Sequence, residues 1–534
     1  MQHYLFIICA FFYASLQTCA AHRFLLYPLN SQSHIRILLK FGEVLTAANH
    51  SVDILMASNN HFQVAPESKI RILEYPVSSG IPLDDLPTIS EYCVKSHKSG
   101  ESSLLVPLNT FVKDYAANTG QFIGECEELL NNSVFIAMLK NNQYDFVLMD
   151  NFEIACAPTL PYKLNVSFGI VAMPMLSWFY RLPVLPSVMP YPASNLSDKM
   201  SFLQRFYNTL FYLLAEFYAA YHSRTTYFSA KYAPERGPPK SAAEIQRSAE
   251  LFFFAYDHVL FYPVPRMPNS IDVGDLLMGE VNEVPEEYQR VLESDKKVIL
   301  FSMGTVFNHM PRELEFKFCS AFAMLYKHSV TVIWKSNRTP QCPRELPSNV
   351  IVKAWIPQND LLGHRNLSLF ITHMGVKSYM EAAYQGTPMI AFPFFNDQYG
   401  NAAAMMEKGL GVTMDLITFT PKELVDNINM MLSDKEGMQF RQNTQRVSML
   451  LREKPLRARQ EVEFWLDHVI KYGGKHLRSK GQELSFVEFF MLDVTLVFFC
   501  LFVIVCGLTA KIGRYLLDKY LSKYHVFSKT TKID

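Results

Sequence analysis

Residues Phe370–Asn401 read FITHMGVKSYMEAAYQGTPMIAFPFFNDQYGN, and this stretch decides the fold. The apolar run Leu367–Thr372 reads as a strand that delivers the chain to His373 and Gly375. A short helical pattern follows, with Ser378 and Glu381 three residues apart and therefore on one face. Gly386 and Pro388 end that helix, and a second strand, Met389–Pro393, leads to Asp397 and Gln398. A helix that starts at the carboxyl end of a parallel strand offers free N–H groups and a positive dipole end to an anion. The histidine, the acid one turn in and the polar pair on the next loop come in an order that suits a diphosphate, a ribose diol and a sugar. Any one of these residues alone fits an ordinary βαβ unit; the constellation in this order does not.

The stretch resembles the signature of UDP-glycosyltransferases, of the membrane-bound UDP-glucuronosyltransferase type, and the resemblance extends over most of the chain. It implies a GT-B fold: two Rossmann-like α/β domains facing each other across a cleft. Upstream, the strand Lys297–Phe301 enters the small-residue turn Ser302-Met303-Gly304-Thr305, where backbone can approach a ligand. Strands follow at Thr331–Trp334 and Val350–Val352. Trp355 to Leu362, WIPQNDLL, resembles the family's uridine pocket. By that resemblance Trp355 stacks on the base, and Ile356 and Gln358 bond base and ribose. His373, Gly375, Lys377 and Ser378 surround the diphosphate, Glu381 takes ribose hydroxyls, and Asp397 with Gln398 takes the sugar. Two residues depart from the family pattern. Met374 replaces the second member of a His-Gly-Gly run and is expected to narrow the backbone approach. Lys377 replaces an asparagine, and a lysine serves a diphosphate as a point charge.

The first half opens strand–helix–strand: Phe24–Leu29, about His34 to Ala48, and Val52–Ala57. This order predicts a parallel sheet with ligands at the carboxyl ends of its strands. His34 stands at the first such end, and the apolar strand from Tyr144 terminates in Asp150. Glycosyl transfer to a hydroxyl needs a base neutral near pH 7 and a group that fixes its tautomer, and a histidine–aspartate pair supplies both. A lone loop histidine more often caps or faces solvent, but the resemblance makes His34 the base and Asp150 its partner. Glu153 is the rival partner, and Asp145 reads as a solvent-facing strand start. The proline-rich run Pro183–Ser201 resembles the family's loop over the acceptor cleft. The run that follows, Phe202–Tyr221, is apolar on nearly every face, which fits either a buried helix or one touching a membrane.

Composition bounds the rest. The 534 residues suit two domains, and 49% hydrophobic content with 13% aromatic suggests a membrane segment beside the cores. Lys+Arg 50 balance Asp+Glu 50, which gives no basic bias toward nucleic acid. The chain has no CxxC, HExxH, GxSxG or strand-linked GxGxxG, so zinc-hydrolase, serine-hydrolase and nicotinamide-dehydrogenase readings lose their usual support. Tyr4–Ala14 with Cys19-Ala20-Ala21 reads as a secretory signal. Phe489–Ala510 has about the ~20 apolar residues that cross a bilayer. Together they predict a single-pass protein with its bulk lumenal and a short cytosolic tail; the resemblance adds residence in the endoplasmic reticulum. Outside the signal and the span, Cys93, Cys126, Cys156, Cys319 and Cys342 are odd in number and scattered, so no disulfide framework is expected. Sequons stand at Asn49, Asn131, Asn165, Asn195, Asn337 and Asn366.

The expected organisation is a signal at 1–21, an acceptor-binding domain at 22–270 and a donor-binding domain at 271–470. A juxtamembrane segment follows at 471–488, then a membrane helix at 489–510 and a tail at 511–534. The expected reaction is inverting transfer from a UDP-sugar to a small lipophilic acceptor, with no cofactor or metal; UDP-sugar, acceptor and membrane lipid are the expected partners. Homo- or hetero-oligomerisation stays open. The resemblance favours glucuronate over glucose as the sugar, although the arginine that glucuronate users carry after their first Tyr-Pro is Val264 here. Arg266, two residues on, is the candidate substitute for binding the carboxylate. A reading from another class, a carrier or receptor that keeps the fold without turnover, rests on Met374 and Lys377 alone.

Overall fold

The computed structural model describes residues 21–78, 120–151, 153–172, 178–294, 297–305 and 310–530. The signal segment up to residue 20 and Cys93 lie outside the described residues. Strands β1 (Arg23–Tyr27), β2 (Ser51–Ala57), β3 (Arg71–Tyr75), β4 (Phe146–Asp150), β5 (Ser167–Ala172), β6 (Leu251–Phe254) and β7 (Ser270–Asp272) form one sheet. Its spatial order is β3-β2-β1-β4-β5-β6-β7. Strands β8 (Lys297–Ser302), β9 (Val330–Lys335), β10 (Val350–Lys353), β11 (Leu367–Thr372), β12 (Met389–Ala391) and β13 (Gly411–Thr413) form a second, ordered β10-β9-β8-β11-β12-β13. Every described pairing between these strands is parallel. This is the GT-B architecture of two Rossmann-like halves.

The strands are near-continuous apolar runs because helices cover both faces of each sheet. Val298 to Phe301 are fully buried, with Phe301 packed against Phe318, Phe322 and Trp334. Connectivity reverses direction between β1 and β4 in the first sheet and between β8 and β11 in the second. At such a reversal the following loops diverge to opposite faces and leave a crevice at the carboxyl ends of the strands. Register makes each crevice specific. Tyr27 pairs with Met149, one residue before Asp150, and Ser302 pairs with Thr372, one residue before His373.

The expected domain boundaries shift. β7 starts at Ser270 and completes the first sheet, so a division after residue 270 would cut a strand. The helix Ala458–Tyr472 returns to the first half, where it packs on the helix Gln32–Ala47 and sets Asp467 3.5 Å from His50. Residues 471–478 continue that return, with the Gly474 N–H on Glu250 and Arg478 on the carbonyl of Ser248. The chain divides into compact units after Arg478. In the second unit, the expected membrane helix from Phe489 is instead a short helix, Phe486–Phe489, followed by one from Leu492 to Thr530. Met491 takes a left-handed backbone (φ 50°) between them. The second helix runs past Lys511, through a stretch without proline. Its stretch Leu492–Ser522 is long and apolar enough to cross a membrane.

Two disulfides, Cys126–Cys156 and Cys319–Cys342, overturn the expectation of no framework. The pairing was hidden because each bridge joins elements that only the tertiary fold brings together. Cys126–Cys156 ties a helical stretch at residues 120–131 to the turn after β4. The bridged residues are separated by 30 and 23 positions, and loops of that size correspond to about 3–4 kcal/mol each by the chain-entropy relation. Non-reducing peptide mapping should recover both linked pairs, and Cys126→Ser with Cys156→Ser should lower the Tm by several degrees.

Candidate active site

The two switch points face a single cavity of about 470 Å³. The first sheet contributes His34, from the first turn of the helix Gln32–Ala47. Its Nδ1 lies 2.6 Å from Oδ2 of Asp150 at the end of β4. A carboxylate oxygen can only accept, so Nδ1 donates and the opposite nitrogen, Nε2, is left as the basic one. The pair is largely buried, at 12% and 8% side-chain exposure, so bulk water competes little with the bond. Glu153, the rival partner, accepts from the backbone N–H groups of Ala155, Cys156 and Ala157 and braces the turn after β4. With its carboxylate committed there and the neighbouring thiols joined, Cys126, Glu153 and Cys156 gather without forming a metal site. Asp145 is at the strand start as expected, accepting from the Arg23 N–H at 2.7 Å.

The second sheet contributes most of the lining. Gly304, Thr305, Trp355, Ile356, Gln358, His373, Gly375, Lys377, Ser378, Glu381, Asp397 and Gln398 all face the cavity, as the sequence reading anticipated. Ser302 does not; it is buried, and its hydroxyl accepts from the Gly304 N–H at 3.4 Å. His373 is held between two glycines: a Cβ on Gly304 would sit 2.5 Å from its ring, and one on Gly375 would sit 2.6 Å from Nε2. Burial and then the nearby charge of Lys335 push the His373 pKa down to about 4, so this imidazole is neutral at physiological pH. On the helix Val376–Gln385, Gln358 Nε2 donates to Glu381 at 2.7 Å and to Ser378 Oγ at 3.1 Å, and Lys377 pairs with Glu381 at 3.2 Å. Burial pushes Asp397 up to about 6, opposed by its hydrogen bond with Asn401 and the nearby His34.

Met374 does not narrow the cleft. Its backbone is left-handed (φ 66°), its side chain is fully buried in the core, and its carbonyl accepts from Asn401 at 2.8 Å. The methionine thus holds the conformation a glycine would favour and turns away from the ligand side. Arg266 is also placed elsewhere. It pairs with Asp272 at 2.8 Å, lies against the rings of Phe254 and Tyr256, and is not among the residues lining the large cavity.

Several lining residues escaped the sequence reading, among them Arg36, Lys335, Asn151 and Tyr218. Lys335 was discoverable, since it ends β9 at the carboxyl edge of a parallel sheet and its ammonium donates to the Gly304 carbonyl at 2.9 Å. Tyr218 arrives from the helix Phe202–Ser223, which packs one face inward through Phe211, Tyr212, Ala215 and Ala219. That helix anchors the proline-rich loop through Asn208, which bonds the backbone of Pro186, Met189 and Tyr191. Its other face leaves Phe202, Phe206, Leu210 and Phe217 exposed. The expectation of core packing thus holds for one side of the helix, and the other side presents an apolar surface.

Residues 23–525 match the family described as UDP-glucoronosyl and UDP-glucosyl transferase. The chain belongs to this family. It is 26% identical to mouse 2-hydroxyacylsphingosine 1-beta-galactosyltransferase over 511 residues, covering 95% of this chain and 88% of the relative. It is 28% identical to human UDP-glucuronosyltransferase 2A3 over 522 residues, covering 95% and 93%. Among solved structures, a UDP-glucose: anthocyanidin 3-O-glucosyltransferase in complex with UDP superposes with a TM-score of 0.53 at 17% identity, covering 85% of this chain and all of that one. A spinosyn forosaminyltransferase gives 0.56 at 18% identity, covering 84% and 99%. The protein is a UDP-sugar glycosyltransferase of GT-B fold.

Replacing Met374 with glycine should relieve the left-handed strain of ~1–2 kcal/mol and remove a buried side chain worth roughly 2–5 kcal/mol. The expected outcome is a net loss of stability in denaturant unfolding with UDP affinity retained, because the side chain points into the core.

Proposed function

We propose that this family member transfers an uncharged hexose, with inversion and without a metal, from its UDP-sugar to a hydroxyl of a small lipophilic acceptor. The observation that carries the reading is the short His34–Asp150 hydrogen bond at the edge of the donor cavity. Nε2 of His34 takes the acceptor proton as the oxygen attacks the anomeric carbon, and Asp150 stabilises the imidazolium that forms. The sugar–phosphate bond breaks on the opposite face. Departing UDP is met by the N-terminus of the helix Val376–Gln385, with neutral His373 beside it and Lys377 within the same wall. Trp355 and Ile356 receive the base, Gln358 base and ribose, Glu381 the ribose, and Asp397 with Gln398 the sugar hydroxyls. Gly304 and Thr305 let backbone approach the donor, and Ser302 supports their turn.

The choice of an uncharged sugar departs from the resemblance to glucuronate users. Glucuronate would need Arg266 for its carboxylate, and that guanidinium is engaged by Asp272 outside the cavity. The carboxylate of Asp397 in the sugar position opposes a second carboxylate there. The mouse relative that is named a galactosyltransferase is consistent with a neutral hexose in this family.

On the first-half side, Ile37, Ile154, Tyr218 and Ala219 give the cavity an apolar wall for the acceptor. The exposed row from Phe202 to Phe217 on the same helix supports contact with lipid from which such acceptors enter. The reading includes a single span at Leu492–Ser522 and a lumenal body in the endoplasmic reticulum. Exposed Asn49, Asn131, Asn165, Asn195 and Asn337 are accessible to glycosylation there, whereas Asn366 is half-buried and bonded to the Leu292 carbonyl. A turnover-free carrier is disfavoured by the intact dyad and by Met374 facing the core.

His34→Ala should abolish transfer with UDP binding intact, and Asp150→Asn should cost at least ~100-fold in kcat. Unchanged turnover in His34→Ala would remove the assignment. In competition, UDP-glucose or UDP-galactose should outrun UDP-glucuronate, and Arg266→Ala should not alter the order; a preference for UDP-glucuronate that depends on Arg266 would reverse the choice of sugar.

A further inference from the structure

The first half reaches the base-binding tryptophan directly. Arg36 lies two residues after His34 on the helix Gln32–Ala47. Its guanidinium carbon is 4.5 Å from the ring centre of Trp355 and 4.7 Å from that of Phe62. Phe62 and Arg36 belong to the chain segment of the first sheet, and Trp355 to that of the second. The three side chains therefore form a ring–cation–ring stack across the cleft. A planar guanidinium can lie against two ring faces at once, which an ammonium cannot. The Lys335 ammonium also approaches the Trp355 ring, at 5.8 Å from its centre, and the tryptophan still leaves 58% of its surface open for a flat partner.

We propose that Arg36 is a positioning residue for the donor base: it braces Trp355 from the acceptor side, and the uracil of the UDP-sugar adds to the stack. The proposal rests on the reading of Trp355 as the base-stacking residue. It means that the uridine site is complete only when the two halves are together. The same helix end then presents His34 to the acceptor and Arg36 to the donor's base. A cation lying over an exposed aromatic ring stabilises modestly, so loss of the brace should weaken nucleotide binding by a few-fold rather than abolish it.

Full-length protein in detergent or lipid is titrated with UDP, read by calorimetry and tryptophan quenching, and donor kinetics are measured alongside. Arg36→Ala should raise the UDP Kd and the donor KM about 2–5-fold with kcat changed much less, and Arg36→Lys should recover only part of the loss. Phe62→Ala should give a smaller change in the same direction. Trp355→Ala serves as the reference and should weaken UDP by at least ~10-fold and remove the quench. If Trp355→Ala weakens UDP while Arg36→Ala leaves Kd unchanged or tightens it, the brace is overturned. A fall in kcat with unchanged KM in Arg36→Ala also overturns it. If Trp355→Ala itself leaves UDP binding unchanged, the base-stacking reading fails, and the brace fails with it.

Discussion

The register of two strand pairs governs this molecule. β1 lies beside β4, although the segment between them holds β2 and β3, and β8 lies beside β11 with β9 and β10 between them in sequence. Each pairing places two chain segments more than sixty residues apart at a common edge, where the loops must part. The helix start that carries His34 and Asp150 meet because β1 and β4 end together; the Gly304 turn and His373 meet because β8 and β11 do. A slip of one residue in either pairing would turn each side chain to the opposite face of its sheet and dismantle the site. Burial of the apolar strands on both faces is what forbids that slip.

Around these two edges the polar groups hold one another in place. Asp150 orients His34, and Glu153 is taken out of competition by three backbone donors. Glu381, Gln358, Ser378 and Lys377 hold one another on the helix face that the ribose would meet. His373 is kept neutral by burial and the neighbouring Lys335. Positive charge beside it comes from Lys335, Lys377 and the N-terminus of the helix Val376–Gln385, whose position does not depend on pH near neutrality. Ordered groups of this kind need little rearrangement when charge develops on a leaving group.

Much of this was legible in particular residues. His373, Gly375, Ser378 and Glu381 were readable because a strand, a helix and a strand in immediate succession fix their relative positions within one βαβ unit. His34 and Asp150 were readable as strand-end residues; the choice of Asp150 over Glu153 came from its place at the strand end together with the family resemblance, and the 2.6 Å contact with His34 agrees with it. Met374 misled because sequence shows the size of a side chain and not its direction. The left-handed backbone turns this side chain into the core. Arg266 misled in a similar way: its reach was sufficient, but Asp272 and two aromatic rings engage it elsewhere.

The sequence by itself determined the two α/β halves, the apolar helix near the C-terminus and, on the second-sheet side of the cavity, residues such as Gly304, Trp355, Gln358, His373, Ser378 and Glu381. The halves and the helix follow from short-range periodicity, strand ends and capping signals, all of which act within a few residues; the site residues came from these together with the family resemblance. Only the tertiary structure decided the two disulfides, the return of Ala458–Tyr472 to the first half, the two unlike faces of the helix Phe202–Ser223 and the stack of Arg36 on Trp355. Each of these depends on which distant surfaces come into contact. That choice is made by packing and loop closure over hundreds of residues, and no local pattern encodes it.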